Sequence, residues 1–238
     1  MGSLCRKLIE NPQAQSSSRV DNSCHTISLD NKNTTDGLDT LTIDFGEGCL
    51  YYGRYRKGKV IFTYTGRYRE VNTVITTSFE NYDVDGIKIE GNRTTTNNGV
   101  IDGKLNFSIN VTNGKFTFTD SSMTRWTSSR TRVIDLNQTE RNFTDDIISI
   151  HGSASSTHES GTRTEHIITE EEPLVYNTTC RVEGGLTSRY LWMPVSGEKE
   201  TTVYQDTTTI IRLFEYGEGE CDNSYTVTVN GISYPFTF

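Results

Sequence analysis

Apolar and polar residues alternate with a period of two along much of the chain. Leu41, Ile43 and Phe45 alternate with Thr42 and Asp44. Leu105, Phe107, Ile109 and Val111 alternate with Asn106, Ser108 and Asn110, and Phe116 and Phe118 with Thr117 and Thr119. Successive side chains of a strand point to opposite faces, so this pattern predicts strands with one face toward a core and one toward water. Further strands are predicted over 59–65, 74–84, 87–96, 174–182, 188–195, 201–204, 208–216, 225–229 and 232–238. Weaker ones cover 132–136, 147–151 and 164–169, inside the most polar stretch, 125–169.

Turn signals separate these runs. Gly46-Glu47-Gly48, Asp85-Gly86, Asn97-Asn98-Gly99 and Asn230-Gly231 each supply residues that tolerate positive φ. Asn113-Gly114 between two alternating runs predicts the clearest hairpin, and the serine-rich 153–161 predicts a loop. No helical span of ten residues stands out. Short connections pair sequential strands antiparallel, which predicts an all-β antiparallel meander of about 13–15 strands. The sheet is expected to be long and twisted, curled on itself or folded into two layers. Residues 1–20 predict a flexible N-terminal arm without an apolar leader, and 21–238 a single antiparallel β domain.

Composition sharpens this picture. Of 238 residues, 36 are Thr, 21 Ser and 17 Asn, while hydrophobic residues are only 33%. Thr fits a pleated strand without adding apolar surface, so the sheet faces are expected to be wetted. Alanine, the best helix former, occurs only at Ala14 and Ala154. The net charge of −8 argues against nucleic-acid binding, which needs surplus basic charge. No run approaches the length of a transmembrane helix.

Five cysteines, Cys5, Cys24, Cys49, Cys180 and Cys221, include no CxxC pair and no zinc spacing. Cys24 and Cys49 bracket the first strand region, and Cys180 and Cys221 the last. Two local disulfides, Cys24–Cys49 and Cys180–Cys221, are therefore expected, in an oxidising compartment, with Cys5 left over. Two sequence echoes stand out. Phe45-Gly46-Glu47-Gly48-Cys49 is echoed by Tyr216-Gly217-Glu218-Gly219-Glu220-Cys221, most simply a repeated strand-end turn stapled by a cysteine. Gly53-Arg54-Tyr55-Arg56 is echoed by Gly66-Arg67-Tyr68-Arg69 across one predicted strand.

The stretch TLTIDFGEGCLYYGRYRKGKVIFTYTGRYRE, then VITTSFENYDVDGIKIEGNRTTTN, and the tail FEYGEGECDNSYTVTVNGISYPFTF carry a resemblance. They resemble a set of uncharacterised secreted or lipid-anchored proteins of Bacteroidota, over most of residues 40–238. The resemblance implies an exported, outer-membrane-associated β protein at the cell surface, outer membrane or periplasm, and assigns no catalytic residue. Gly2-Ser3-Leu4-Cys5 lacks a good lipobox, so Cys5 is either the anchoring cysteine or an unpaired thiol.

Catalytic chemistry finds little foothold. His25, His151, His158 and His166 sit in no nucleophile motif and are expected to be solvated loop or strand-face residues. The carboxylate groups Asp145-Asp146, Glu170-Glu171-Glu172 and Asp83 with Asp85 read as solvated turns. Neither Asp83-Val84-Asp85-Gly86 nor Asp222-Asn223 completes a calcium loop. No metal or cofactor is expected. Seven Asn-x-Ser/Thr sequons, at Asn33, Asn92, Asn106, Asn110, Asn137, Asn142 and Asn177, are little more than this composition produces by chance.

One basic-aromatic patch remains: Tyr51, Tyr52, Arg54, Tyr55, Arg56, Lys57 and Lys59, with the echo Arg67, Tyr68 and Arg69. Tyr offers a flat amphipathic face and Arg a forked donor, chemistry suited to sugars and anionic glycans. The same residues would also serve as charged edge protection of a hairpin. The expected function is a non-enzymatic exported scaffold or binding module for a glycan or surface protein, with peripheral or lipid-anchored membrane association open. The alternative is a carrier sheltering an acyl ligand on a concave face lined by Phe107, Ile109, Phe116 and Phe118. A glycan-degrading enzyme ranks third, since it needs two carboxylates across a cleft.

Overall fold

The computed structural model describes residues 24–30, 38–135, 146–180, 182–184, 189–191, 193–222 and 224–237. The expected N-terminal arm and Cys5 lie outside the described residues. The described residues form seventeen strands: β1 (Thr26–Asp30), β2 (Asp39–Asp44), β3 (Cys49–Tyr51), β4 (Arg54–Tyr64), β5 (Val74–Val84), β6 (Ile87–Ile101), β7 (Lys104–Thr117), β8 (Met123–Asp135), β9 (Ile147–His158), β10 (Arg163–Ile168), β11 (Leu174–Asn177), β12 (Val182–Gly184), β13 (Arg189–Leu191), β14 (Ser196–Gln205), β15 (Thr208–Glu218), β16 (Ser224–Val229) and β17 (Ile232–Thr237). Fifteen form one antiparallel sheet in the order β1-β2-β4-β5-β6-β7-β8-β9-β10-β14-β15-β16-β17. Beside this path, β3 pairs with β4, and β11 with β9 and β14, while β12 and β13 form a separate ribbon. The all-β meander is as expected, slightly richer in strands. It departs from sequential order twice along this path, at the step from β2 to β4 and at the step from β10 to β14.

Contacts cluster into two compact units along this ladder, 1–99 with 110–126, and 100–109 with 127–238. In the first, Leu41 of β2 lies opposite Phe62 of β4 and Ile43 opposite Val60. These four, with Phe45, Tyr64, Ile75 and Tyr82, are buried and form its core. The second unit buries Leu105, Phe107, Ile109, Ile134, Ile168, Leu174 and Tyr216. The period-two positions read from β2 and β7 are thus the inward ones.

Turns decide where strands reverse. A two-residue type I′ hairpin needs positive φ at both central residues. Asp85-Gly86 (φ 53° and 84°) and Asn230-Gly231 (53° and 78°) meet this requirement and join β5 to β6 and β16 to β17. Three turn expectations fail. Asn113-Gly114 lies inside β7, because only Asn113 has positive φ (54°), so the chain kinks and continues. Both glycines there serve close approach: a Cβ on Gly114 would overlap Trp126, and one on Gly91 would lie 2.7 Å from the Asn113 carbonyl oxygen. Asn97-Asn98-Gly99 lies inside β6; Asn97 is 1% exposed and its side-chain amide donates to the Tyr68 carbonyl at 3.0 Å. The true reversal comes at Asp102-Gly103 (50° and 76°). The predicted loop 153–161 is strand through His158, with Ser155 opposite Glu165 and Thr157 opposite Arg163. Hydroxyl side chains hold a strand on a wetted face, so polarity alone does not make a loop.

Both expected disulfides form. Cys24–Cys49 has its Cα atoms 5.5 Å apart, and Cys180–Cys221 has them 5.3 Å apart. They close stretches of 25 and 41 residues, worth about 3–4 kcal/mol each in the chain-entropy account. Each sits beside one copy of the Gly-Glu-Gly echo, whose aromatic, Phe45 or Tyr216, is buried. The echo is a stapled strand end. No helix among the described residues is long and apolar enough to cross a membrane.

At the far end of the sheet every residue of β17 is exposed. The turn-flanking pair Val229–Ile232 exchanges both backbone bonds, and bonding alternates from there. The Thr226–Pro235 pair is therefore a non-bonded one, and the backbone nitrogen of residue 235 faces the open edge. Proline removes the donor that a passing strand would use. Pro235→Thr is expected to cause concentration-dependent self-association absent from the unaltered chain, measured by sedimentation velocity.

Candidate functional site

The proposed basic-aromatic patch lies on the β3–β4 hairpin, where strand alternation splits it. Leu50 pairs with Tyr55, Tyr51 with Arg54 and Cys49 with Arg56. Leu50 (70% exposed), Tyr55 (49% exposed) and Lys57 therefore share the outer face. Tyr51, Arg54 and Arg56 share the other face with buried Cys49. There Tyr51 packs edge-on to His25 at 4.5 Å and tilted against Phe45 at 5.7 Å. Arg56 donates to the Tyr82 hydroxyl. Burial pushes the Tyr82 phenol up and His25 down. Lys59 pairs with Glu80 at 3.0 Å.

The second Gly-Arg-Tyr-Arg copy does not join the first. They flank opposite ends of β4, an 11-residue strand about 35 Å long. Tyr68 is 6% exposed, a core residue instead of a surface one. Arg67 and Arg69 belong to the turn after β4, where the Arg67 amide donates to Glu70 at 3.2 Å. Arg67, Tyr68 and Arg69 therefore leave the candidate site.

What remains is a tip: Tyr52 and Gly53 form the two-residue loop, with Tyr52 76% exposed. The base of the tip is braced by one disulfide and three hydrogen bonds. Cys49 is cross-linked to Cys24. Arg54 Nη1 meets Asp85 Oδ2 at 2.7 Å, and the other Asp85 oxygen accepts from the Tyr55 amide at 2.8 Å. The Asp85 amide returns a bond to the Tyr55 carbonyl at 2.8 Å. The turn between β5 and β6 thus holds the hairpin beside it.

A concavity of about 300 Å³ lies in the other unit over β8, β9 and β10. It is lined by Thr127, Ser128, Ser129, Ser153, Ala154, Ser155, Glu165, His166 and Ile167. Small side chains on neighbouring strands create it. Glu165 accepts from the Tyr204 hydroxyl at 3.0 Å and pairs with Arg163. Those two partners, Arg163 first, hold its carboxyl below the usual range. His166 is half-buried and exchanges a hydrogen bond with Thr201 at 2.9 Å, unlike the solvated histidine expected. Sequence reading missed this neighbourhood, because the serine-rich part of β9 reads as a loop and the partners Thr201 and Tyr204 arrive only through the β10–β14 register.

Of the four positions proposed to shelter an acyl chain, Phe107 and Ile109 are buried, and Phe116 and Phe118 are half-buried. Phe107 is 1% and Ile109 9% exposed, and the Arg132 guanidinium covers the Phe107 ring at 4.9 Å. Phe116 stacks on Trp126 at 5.8 Å.

The chain was compared with known families, curated proteins and solved structures, and none of these matches it.

The Asp85 bracing makes a pH prediction. The Arg54 bond, then the Tyr55 amide, holds the Asp85 carboxyl below its ordinary value of 3.8. A depressed carboxyl adds stability that is complete above the ordinary value and is lost as pH falls through the depressed one. An NMR titration of Asp85 and of the Tyr55 amide is expected to show a shared midpoint below 3.8. In Arg54→Ala that midpoint should move back up.

Proposed function

We propose that this chain is an exported, non-enzymatic binding module whose contact element is the tip of the β3–β4 hairpin, and that it takes a glycan. Two disulfides support an oxidising, extracytoplasmic setting. Cell surface, outer membrane or periplasm is the finer placement we favour, as is membership of the Bacteroidota group the sequence resembles.

The observation that carries the reading is the conformation of Tyr52. It occupies the first position of a type I′ turn at φ 47°, with Gly53 at 63°. The comparable turns use Asp85, Asp102 and Asn230 at that position. Asp and Asn tolerate left-handed backbone, whereas a bulky aromatic there costs about 1–3 kcal/mol. Its edge-on contact with Tyr51 at 4.5 Å returns part of this, about 0.5–1.5 kcal/mol. The strained ring is the most exposed aromatic of the tip, and folding alone gives no reason to keep it there. On the outer face of the same hairpin, Leu50 and Tyr55 are exposed as well, and an exposed aromatic ring suits stacking against a sugar. The Asp85 and Cys49 bracing keeps that surface ordered before a ligand arrives, which reduces the entropy lost on binding.

Tyr52→Asn separates function from folding. It is expected to raise stability by about 0.5–1 kcal/mol in denaturant unfolding, and to abolish capture on a glycan array and in pull-downs on intact cells. A silent array and pull-down with the unaltered chain, or undiminished capture by the variant, would overturn the proposal.

A further inference from the structure

In the unit that holds residues 127–238, three basic side chains converge from successive strands. Arg130 lies on β8, His166 on β10 and Lys199 on β14, with β9 running between the first two. The register explains the meeting. His166 is opposite Thr201, and Lys199 is the next residue on the same face of β14. On β9 the residue paired with His166 is Ala154, and two positions before it is Gly152, whose carbonyl accepts from Arg130 Nη1 at 3.4 Å. Alanine and glycine leave room above the central strand where long side chains from both sides can reach.

All three groups are partly withdrawn from water. Lys199 Nζ sits 4.1 Å over the Phe214 ring, and that ring stacks on Tyr225. Tyr176 and Tyr216 lie close by, and burial raises both phenols, Tyr216 to about 12. Burial, then the charges of Lys199 and Arg130, push His166 down, and burial, then Arg130, pushes Lys199 down, so the two permanent cations bear on one another. Among the described residues no carboxylate pairs with Arg130, His166 or Lys199. Several cations elsewhere have a carboxylate partner: Arg54 has Asp85, Lys59 has Glu80, Lys104 has Asp135 and Lys115 has Glu90. Here a guanidinium and an ammonium share a neighbourhood with the hydrogen-bonded His166–Thr201 pair and the Tyr176 phenol. Partly buried positive charges without a counter-charge destabilise a fold.

We infer that Arg130, His166 and Lys199 form a binding site for an oxyanion, the sulfate, phosphate or carboxylate group of a ligand. The guanidinium supplies a forked pair of donors and the ammonium a point charge, while low local polarity strengthens both. The inference is independent of the Tyr52 tip and survives if that reading fails.

The probes are inorganic sulfate, inorganic phosphate and glucuronate, added to the unaltered chain at constant ionic strength against chloride. Sulfate or phosphate is expected to raise the melting temperature saturably by about 2–4 °C. A response to glucuronate as well would extend the site to carboxylates. Lys199→Met is expected to raise the melting temperature without added anion, because it relieves repulsion, and to weaken the anion response at least tenfold. Arg130→Met should behave alike, and Lys88→Met, in the other unit, should leave the response intact. A purely structural role for Lys199 would instead lower the melting temperature of Lys199→Met. The inference is overturned if no probe stabilises more than chloride, or if Lys199→Met keeps the full response.

Discussion

Every backbone N–H and C=O taken out of water must find a partner, and in this chain the inter-strand ladder does nearly all of that work. With hydrophobic residues at 33%, no large apolar core is available to dominate the fold. A strand in the middle of a sheet satisfies its backbone on both sides and needs apolar residues only at alternate positions. That is why threonine and serine can fill ten of the 25 positions of β8 and β9 without breaking the ladder. The small cores follow from the same constraint, since each is the inward half of a few neighbouring strands.

The ladder also sets what surrounds it. Strand ends are its weak points, and there the chain places a buried aromatic, a Gly-Glu-Gly turn and a cross-linked cysteine, once at Cys49 and again at Cys221. The open edge at β17 is a further weak point, blunted by Pro235. Side chains far apart in sequence meet only because register brings them together. The bracing of Tyr55 by Asp85, 30 residues away, and the gathering of Arg130, His166 and Lys199 are both products of pairing.

The period-two pattern made the fold class, the inward residues of β2 and β7, and both cysteine pairs legible in the sequence. Turns were legible where both central residues accept positive φ, as at Asp85-Gly86 and Asn230-Gly231. They were misread where Asn-Gly marks a kink: Asn113-Gly114 keeps its strand because Gly114 makes room for Trp126. Serine content hid the second half of β9, since a wetted strand and a loop share a composition. The basic-aromatic run looked like one patch because sequence proximity ignores the pleat, which sends Tyr51 and Tyr55 to opposite faces of the hairpin. The cation cluster was invisible because the β10–β14 pairing skips the ribbon of β12 and β13, and nothing local announces such a step.

That non-sequential pairing is also the part of the ladder on which the rest leans hardest. The direct test is a map of cross-strand nuclear Overhauser contacts in solution. The register predicts contacts linking His166 with Thr201 and Thr164 with Val203. Their absence, with contacts showing β10 paired to β11 as a local hairpin instead, would contradict the continuous sheet and everything placed on it.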